Sequence, residues 1–154
     1  MSRSVELTDA ELIAACDVRR TRPSGPGGQH RNKVETAVVL THRESGIVAE
    51  ATERRCQAEN LARALFRLRL KLAVELRDAS WSTPSLRWRG RVQQGRIRVN
   101  PQHPDYPPLA AEALDALAAH AWDVAAAAER LGVTASQLVK LLKLEPAALE
   151  RLNA

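Results

Sequence analysis

The residues with the greatest capacity for chemistry lie together in Ser24-Gly25-Pro26-Gly27-Gly28-Gln29-His30-Arg31-Asn32-Lys33, where three of the chain's seven glycines fall within four positions. Glycine at that density opens left-handed backbone conformations and lets amide N–H groups approach whatever docks against them. Ordering such a segment costs much chain entropy, so a plain turn would rarely need it. Gln29 adds one neutral amide side chain, a donor and an acceptor at once. Arg19, Arg20 and Arg22 before the loop, and Arg31 and Lys33 within it, add positive charge. Backbone donors beside that charge suit a phosphate-rich partner.

What the chain lacks narrows the chemistry further. It supplies no Ser-His-Asp set, no metal-ligand cluster and no pair of catalytic carboxylates, so neither a metal nor a cofactor is expected. His30 has the unperturbed pKa of a general base, but one histidine beside a loop is more often a hydrogen-bonding residue or an RNA contact. Glu35 and Glu44 read as surface or turn residues. A glycine loop with one amide side chain suits an active site completed by a second catalytic surface.

The elements that must position this loop follow from periodicity. Thr8-Asp9-Ala10-Glu11 has the form of a capping box, which predicts a short helix over 9–15 covering one end of a sheet. Residues 16–22 read as a basic strand ended by Pro23. Strands are expected over 37–42 and 47–52, joined by a hairpin turn in which Gly46 takes a positive φ. From Arg54 to Arg77 the period becomes helical: Ala58, Leu61, Leu65, Leu68, Leu72 and Leu76 mark a face that should cover the sheet. Arg63, Arg67 and Lys71 form a basic stripe on another face, open to an RNA contact or to simple solvation.

Residues 78–108 hold Trp81, Trp88 and five arginines among five prolines and two glycines. They read equally as an arm that stacks on RNA or as a linker whose tryptophans cover the helix end, with an edge strand at 96–99. Residues 109–153 are helical by propensity, and 125–138 have helix-turn-helix form, with Gly132 in the turn and Thr134 to Gln137 capping the next helix. The second helix carries Lys140 and Lys143 but no arginine or asparagine placed to read base edges. A compact helical packing or protein-docking module is the alternative to DNA reading there.

Charge divides unevenly along the 154 residues. Residues 1–100 carry +8 and residues 101–154 carry −3, within a net +5. The basic part points to nucleic acid. Cys16 and Cys56 match neither metal-ligand nor redox spacing and read as unpaired thiols of a reducing compartment. No apolar run reaches membrane-spanning length and the first residues lack the form of a targeting signal, so a cytoplasmic protein without membrane contact is expected.

Gly27-Gly28-Gln29 within this loop resembles the GGQ loop of class I peptide chain release factors and the small ribosome-rescue hydrolases related to them. The likeness covers roughly residues 15 to 76 and continues through Asn32-Lys33, Ala37 to His42, Ser45-Gly46-Ile47-Val48, and Glu53-Arg54-Arg55-Cys56-Gln57-Ala58-Glu59-Asn60. A lone GGQ is weak evidence, whereas this ordered set at family spacing is strong.

The resemblance implies ribosome-dependent hydrolysis of the ester joining a nascent peptide to tRNA, at the peptidyl transferase centre of the large subunit. It assigns Gln29 as the residue whose backbone amide stabilises the developing oxyanion and whose side chain positions water. Gly27 and Gly28 hold that backbone. Arg19, Arg20, Arg22, His30, Arg31, Asn32, Lys33, Arg63, Arg67 and Lys71 become candidate RNA contacts. The implied partners are 23S rRNA and peptidyl-tRNA, with a further rescue protein left open.

Arg31 stands where full-length factors usually have a small apolar residue. Cys56 stands at a common serine position and is expected as a packed replacement, with an exposed thiol the alternative. Only 23 residues precede Ser24, so stop-codon selection is not expected. The better-known rescue hydrolase has a basic C-terminal tail, but only four basic residues follow position 100 here. Recognition of stalling should therefore differ, with a split large subunit a plausible substrate.

The expected fold is α+β: a small antiparallel sheet packed on a long helix with an extended GGQ loop, followed by an all-helical C-terminal region. The expected boundaries are 1–78 for the GGQ domain, 79–108 for a basic linker or arm, and 109–154 for a helix-turn-helix-like module. Two other functions remain open, a non-catalytic rRNA-binding factor and a DNA-binding regulator using residues 121–144.

Overall fold

The computed structural model describes residues 4–22 and 36–154, which divide into two compact units, residues 1–72 and 73–154. Gly27, Gly28, Gln29, His30, Arg31, Asn32 and Lys33 lie outside the described residues.

The first unit opens with a 3-10 turn at Ser4–Glu6 and helix α1 (Asp9–Ala14), whose capping box is complete. Thr8 Oγ1 accepts from the Glu11 amide at 3.2 Å and Glu11 Oε1 accepts from the Thr8 amide at 3.3 Å. Strands β1 (Cys16–Thr21), β2 (Ala37–His42) and β3 (Val48–Ala51) form one antiparallel sheet in that order. Its register sets Cys16 against His42, Thr21 against Ala37 and Val38 against Ala51. Gly46 closes the β2–β3 turn at φ +75°, a conformation that costs glycine little.

Helix α2 (Gln57–Glu75) supplies the opposite wall of the core. Ala64, Leu65, Leu68 and Leu72 pack with Leu12, Cys16, Val38, Leu40, Ala49 and Ala51. Each large buried aliphatic stabilises the fold by roughly 1.5–3 kcal/mol relative to exposure. The expected leucine face holds from Leu61 to Leu72, but Ala58 and Leu76 are exposed. The helix begins at Gln57 because Glu53–Arg55 are drawn into a turn, with Asn60 Oδ1 accepting from the Arg54 amide at 3.0 Å.

Arg43 braces the far end of the sheet. Its guanidinium donates to the carbonyls of Ala14 and Cys16, tying the β2–β3 turn to the end of α1. Burial pushes the Cys16 thiol above its usual range, with Arg43 opposing and Asp17 adding to the shift. Cys56, expected as a packed residue, is exposed. It sits in the turn before α2, and the serine-sized side chain there meets no core.

The second unit holds α3 (Leu86–Arg91), a two-stranded hairpin of β4 (Val92–Gln93) and β5 (Arg96–Ile97), and four helices: α4 (Tyr106–Ala119), α5 (Val124–Leu131), α6 (Ala135–Lys143) and α7 (Pro146–Asn153). Gln94 and Gly95, at φ 51° and 77°, make the hairpin turn, as two-residue turns between right-twisted strands require.

Every residue of α4 from Tyr106 to Leu117 is buried, so its two acids need partners. Glu112 accepts from Trp81 Nε1 at 3.0 Å, the Ser85 amide at 2.7 Å and Ser85 Oγ at 2.6 Å. Asp115 meets Arg77 at 3.2 Å and the Asp78 amide at 2.9 Å. Tyr106 donates to the Leu141 carbonyl at 2.9 Å, and burial, reinforced by Glu145, pushes its phenol upward.

Trp88, open in sequence to stacking on RNA or to packing, is packed. It is fully buried and donates from Nε1 to the Leu131 carbonyl at 2.8 Å. Trp81 turns its ring edge-on to His120 at 6.3 Å. An indole committed to a core has no face left for a base. Gly132 ends α5 at φ +74°, and Thr134 Oγ1 caps α6 by accepting from the Gln137 amide at 3.2 Å, without the reciprocal bond from the Gln137 side chain, whose Oε1 accepts from the Ile97 amide. The Val133 amide also reaches back to the Ala128 carbonyl at 3.0 Å, completing a Schellman turn.

Candidate functional site

The glycine-rich segment lies in the chain between Thr21 and Ala37, and these two residues face each other in the last pair of the β1–β2 ladder. The ladder therefore fixes the separation of the loop's two legs. Two side chains from the first turn of α2 then fasten them. Gln57 Oε1 accepts from Arg20 Nε at 3.0 Å on the outgoing leg. Asn60 Nδ2 donates to the Thr36 carbonyl at 2.8 Å on the returning leg.

Asn60 is wholly buried and does more than one task. Its Nδ2 donates a second bond to the Arg54 carbonyl at 2.9 Å, while Oδ1 accepts from the Arg54 amide. Two carbonyls on one side and an N–H on the other fix the amide's orientation. Gln57 and Asn60 are three apart, on neighbouring positions of one helical face. That spacing lets one turn of helix hold both legs. Neither residue was assigned a role from sequence, although a buried asparagine near a helix start, inside the resembling segment, was the available signal.

The candidate RNA contacts among the described residues separate into two groups. Arg19, Arg20 and Arg22 are exposed at the loop end of β1. Strand alternation places Arg20 on the side of Cys16 and Val18, and Arg19 on the other face. The stripe on α2 stays at the surface, with Arg63 and Lys71 exposed, but its cations are engaged within their own unit. Arg67 grips Glu53 with both nitrogens, at 2.7 and 2.9 Å, and donates to the Glu50 carbonyl at 2.9 Å. Lys71 Nζ donates to the Val48 carbonyl at 2.6 Å, and Arg63 lies 3.8 Å from Glu53. Val48 and Glu50 belong to the edge strand β3, whose outward carbonyls would otherwise be unpaired. These cations thus brace the sheet.

The Arg67 hydrogen bonds hold the Glu53 carboxyl down at about 2. A depressed folded value contributes stability that is complete above the ordinary 4.5 and is lost as pH falls toward about 2. The melting temperature of Glu53→Gln should therefore lie below that of wild type at pH 6, and the gap should close between pH 4.5 and about 2. A gap that is constant with pH would mean that the pair contributes nothing through its charge.

Among the described residues no three His, Cys, Asp or Glu side chains are grouped to hold a metal, and no helix is long and apolar enough to cross a membrane. The described part of the site offers positioning and charge.

A three-stranded sheet and one long helix that fasten the residues flanking the glycine-rich segment define a small α+β domain. The sequence profile of the RF-1 domain matches residues 5–105, and the chain belongs to that family. It is 46% identical over 70 residues to peptide chain release factor PrfB1, chloroplastic, of Arabidopsis thaliana, covering 46% of this chain and 14% of that protein. It is 45% identical over 76 residues to peptide chain release factor 1 of Acidiphilium cryptum (strain JF-5), covering 49% of this chain and 20% of the relative. The chain thus matches a fifth or less of the length of these relatives. A second profile, bacterial regulatory protein, Fis family, matches residues 114–144.

Proposed function

We propose that this protein hydrolyses the peptidyl-tRNA ester on the ribosome, releasing nascent peptides from stalled ribosomes or split large subunits without reading a codon. The observation that carries this is the double fastening of the loop legs by Gln57 and Asn60, in a segment that matches the RF-1 domain. A backbone donor stabilises a developing oxyanion only if it is held in place beforehand. In this reading the Gln29 amide is that donor, Gly27 and Gly28 give it room, and the Gln29 side chain positions water. The 23S rRNA and the tRNA's terminal ribose supply proximity and proton handling.

Arg19, Arg20 and Arg22, with His30, Arg31, Asn32 and Lys33, are the proposed rRNA contacts near the reacting ester. Arg63, Arg67 and Lys71 contribute by supporting β3, and any RNA contact they make is added to that. The protein works in the cytoplasm, where translating ribosomes are found.

The test is release of labelled peptide from purified complexes, comparing 70S ribosomes on truncated mRNA, split 50S subunits, and free peptidyl-tRNA. Release from either ribosomal substrate, with none from free peptidyl-tRNA, supports the proposal and identifies the rescue substrate. Ribosome binding without release from any of them would make the protein a non-catalytic ribosomal factor.

One observation favours a second reading. The Fis-family match falls on α4, α5 and α6, and the turn at Gly132 with the Thr134 cap has helix-turn-helix form. A regulator of that kind would bind specific duplex DNA in preference to ribosomes at one fixed salt concentration.

A further inference from the structure

We infer that the second unit carries an RNA-binding groove of its own, formed between the β4–β5 hairpin and helix α6 and shaped for the phosphate backbone of a double-stranded RNA segment. The hairpin is fastened to the start of α6 at two points. The Thr134 amide donates to the Gly95 carbonyl at 3.0 Å, and Gln137 Oε1 accepts from the Ile97 amide at 3.3 Å. Ile97 is buried on this seam, and the flanking Arg96 and Arg98 are exposed.

The result is a groove of about 720 Å³ with Arg96 and Arg98 on one wall and Lys140 on the other. Lys140 also borders a shallower depression of about 480 Å³ along α6 that ends at Lys143. Four cations from two separated stretches of sequence are thereby brought to one surface. None of the four has an ion-pair partner among the described residues. Arg91, which also lines the groove, is neutralised by Asp105 at 2.9 Å, and Arg87 approaches the same carboxylate at 3.7 Å.

The residues present also say how such a surface would bind. Exposed lysines and arginines with no carboxylate partner attract phosphates. Helix α6 carries no arginine or asparagine, and the Oε1 of its one glutamine is taken by the Ile97 amide, so its lysines are left as phosphate contacts. Single-stranded binding needs aromatic faces beside the charge, and among the described residues no aromatic side chain lines this groove. A duplex held by its backbone remains. The choice of RNA over DNA rests on the ribosomal function proposed above, since either duplex offers phosphates. Residues 101–154 are net acidic as a whole, yet this surface is locally basic because α4 keeps Glu112 and Asp115 inside.

The test uses the full chain and a labelled, perfectly paired RNA duplex, with affinity measured by fluorescence anisotropy over a range of salt. The quadruple variant Arg96→Ala, Arg98→Ala, Lys140→Ala, Lys143→Ala should lose at least about tenfold in affinity at low salt. The slope of log affinity against log salt should become shallower by roughly one for each phosphate contact removed. The charge-keeping variant Lys140→Arg, Lys143→Arg should bind as wild type does, which separates loss of charge from loss of fold. An unchanged affinity and slope in the quadruple variant overturns the groove. Binding to a DNA duplex at least about tenfold tighter than to RNA, lost in the same variant, overturns the assignment to RNA. Gln29→Ala, which leaves this groove intact, should keep the duplex affinity even if peptide release fails, so the two proposals fail separately.

Discussion

Gln29→Pro should lower peptide release from the preferred ribosomal complex by about 10²–10³-fold, the loss that follows removal of one oxyanion donor. Proline has no backbone N–H, so the substitution deletes the proposed donor. Gln29→Ala keeps the N–H and loses only the amide side chain, and should cost about tenfold or more, the worth of one water-positioning hydrogen bond. The pair of variants divides the residue's contribution between backbone and side chain. Both should bind ribosomes within a factor of a few of wild type, as checked by co-sedimentation, because an interaction made only in the transition state lowers turnover without weakening the ground-state complex. Wild-type release by both would leave Gln29 without a role.

Asn60→Ala should destabilise the first unit by about 2–4 kcal/mol, measured by urea denaturation. The substitution leaves the buried Thr36 carbonyl without its partner, at a cost of about 1–3 kcal/mol, and removes two further bonds to the exposed Arg54, each worth about 0.5–1.5 kcal/mol because water can replace them. Release should also fall by roughly 10- to 100-fold under conditions where the variant is still folded, since displacement of a reacting group by about 1 Å can cost that much. A purely structural role would predict release recovering fully once the folded fraction is corrected for.

Gln57→Ala offers the comparison, because its bond to Arg20 is solvent-exposed. It should leave stability within about 0.5 kcal/mol of wild type. Any loss of release would then report on the placing of Arg20 and of the segment it leads into, and not on stability. Unaltered release in both corrected variants would remove the fastening from the mechanism.

How far the sequence could be read depended on the range of each interaction. The α+β plan was legible because strand alternation, the leucine period and the capping box at Thr8 are written within one or two turns of chain. Gly46 and Gly132 were legible for the same reason: a positive φ is a local demand that glycine meets at little cost. The start of α2 was misplaced because Arg54 is held by Asn60, six residues ahead, and not by its own helical ladder. The glycine loop itself stood out by composition and by its resemblance.

Tertiary structure decided which charges and rings are free to act. Arg67 and Lys71 read as a surface stripe, but folding brings β3 beside them, and its carbonyls and Glu53 take up their donors. Trp88 read equally as a stacking or a packing residue, and the Leu131 carbonyl, 43 residues away, accepts its N–H inside a core. Conversely, Arg96, Arg98 and Lys140 are ordinary exposed residues in sequence and become one basic groove only when the hairpin is fastened to α6. A period of two or 3.6 encodes which face of an element is apolar. The partner of a polar group depends on which elements meet, and that is settled only by the packed chain.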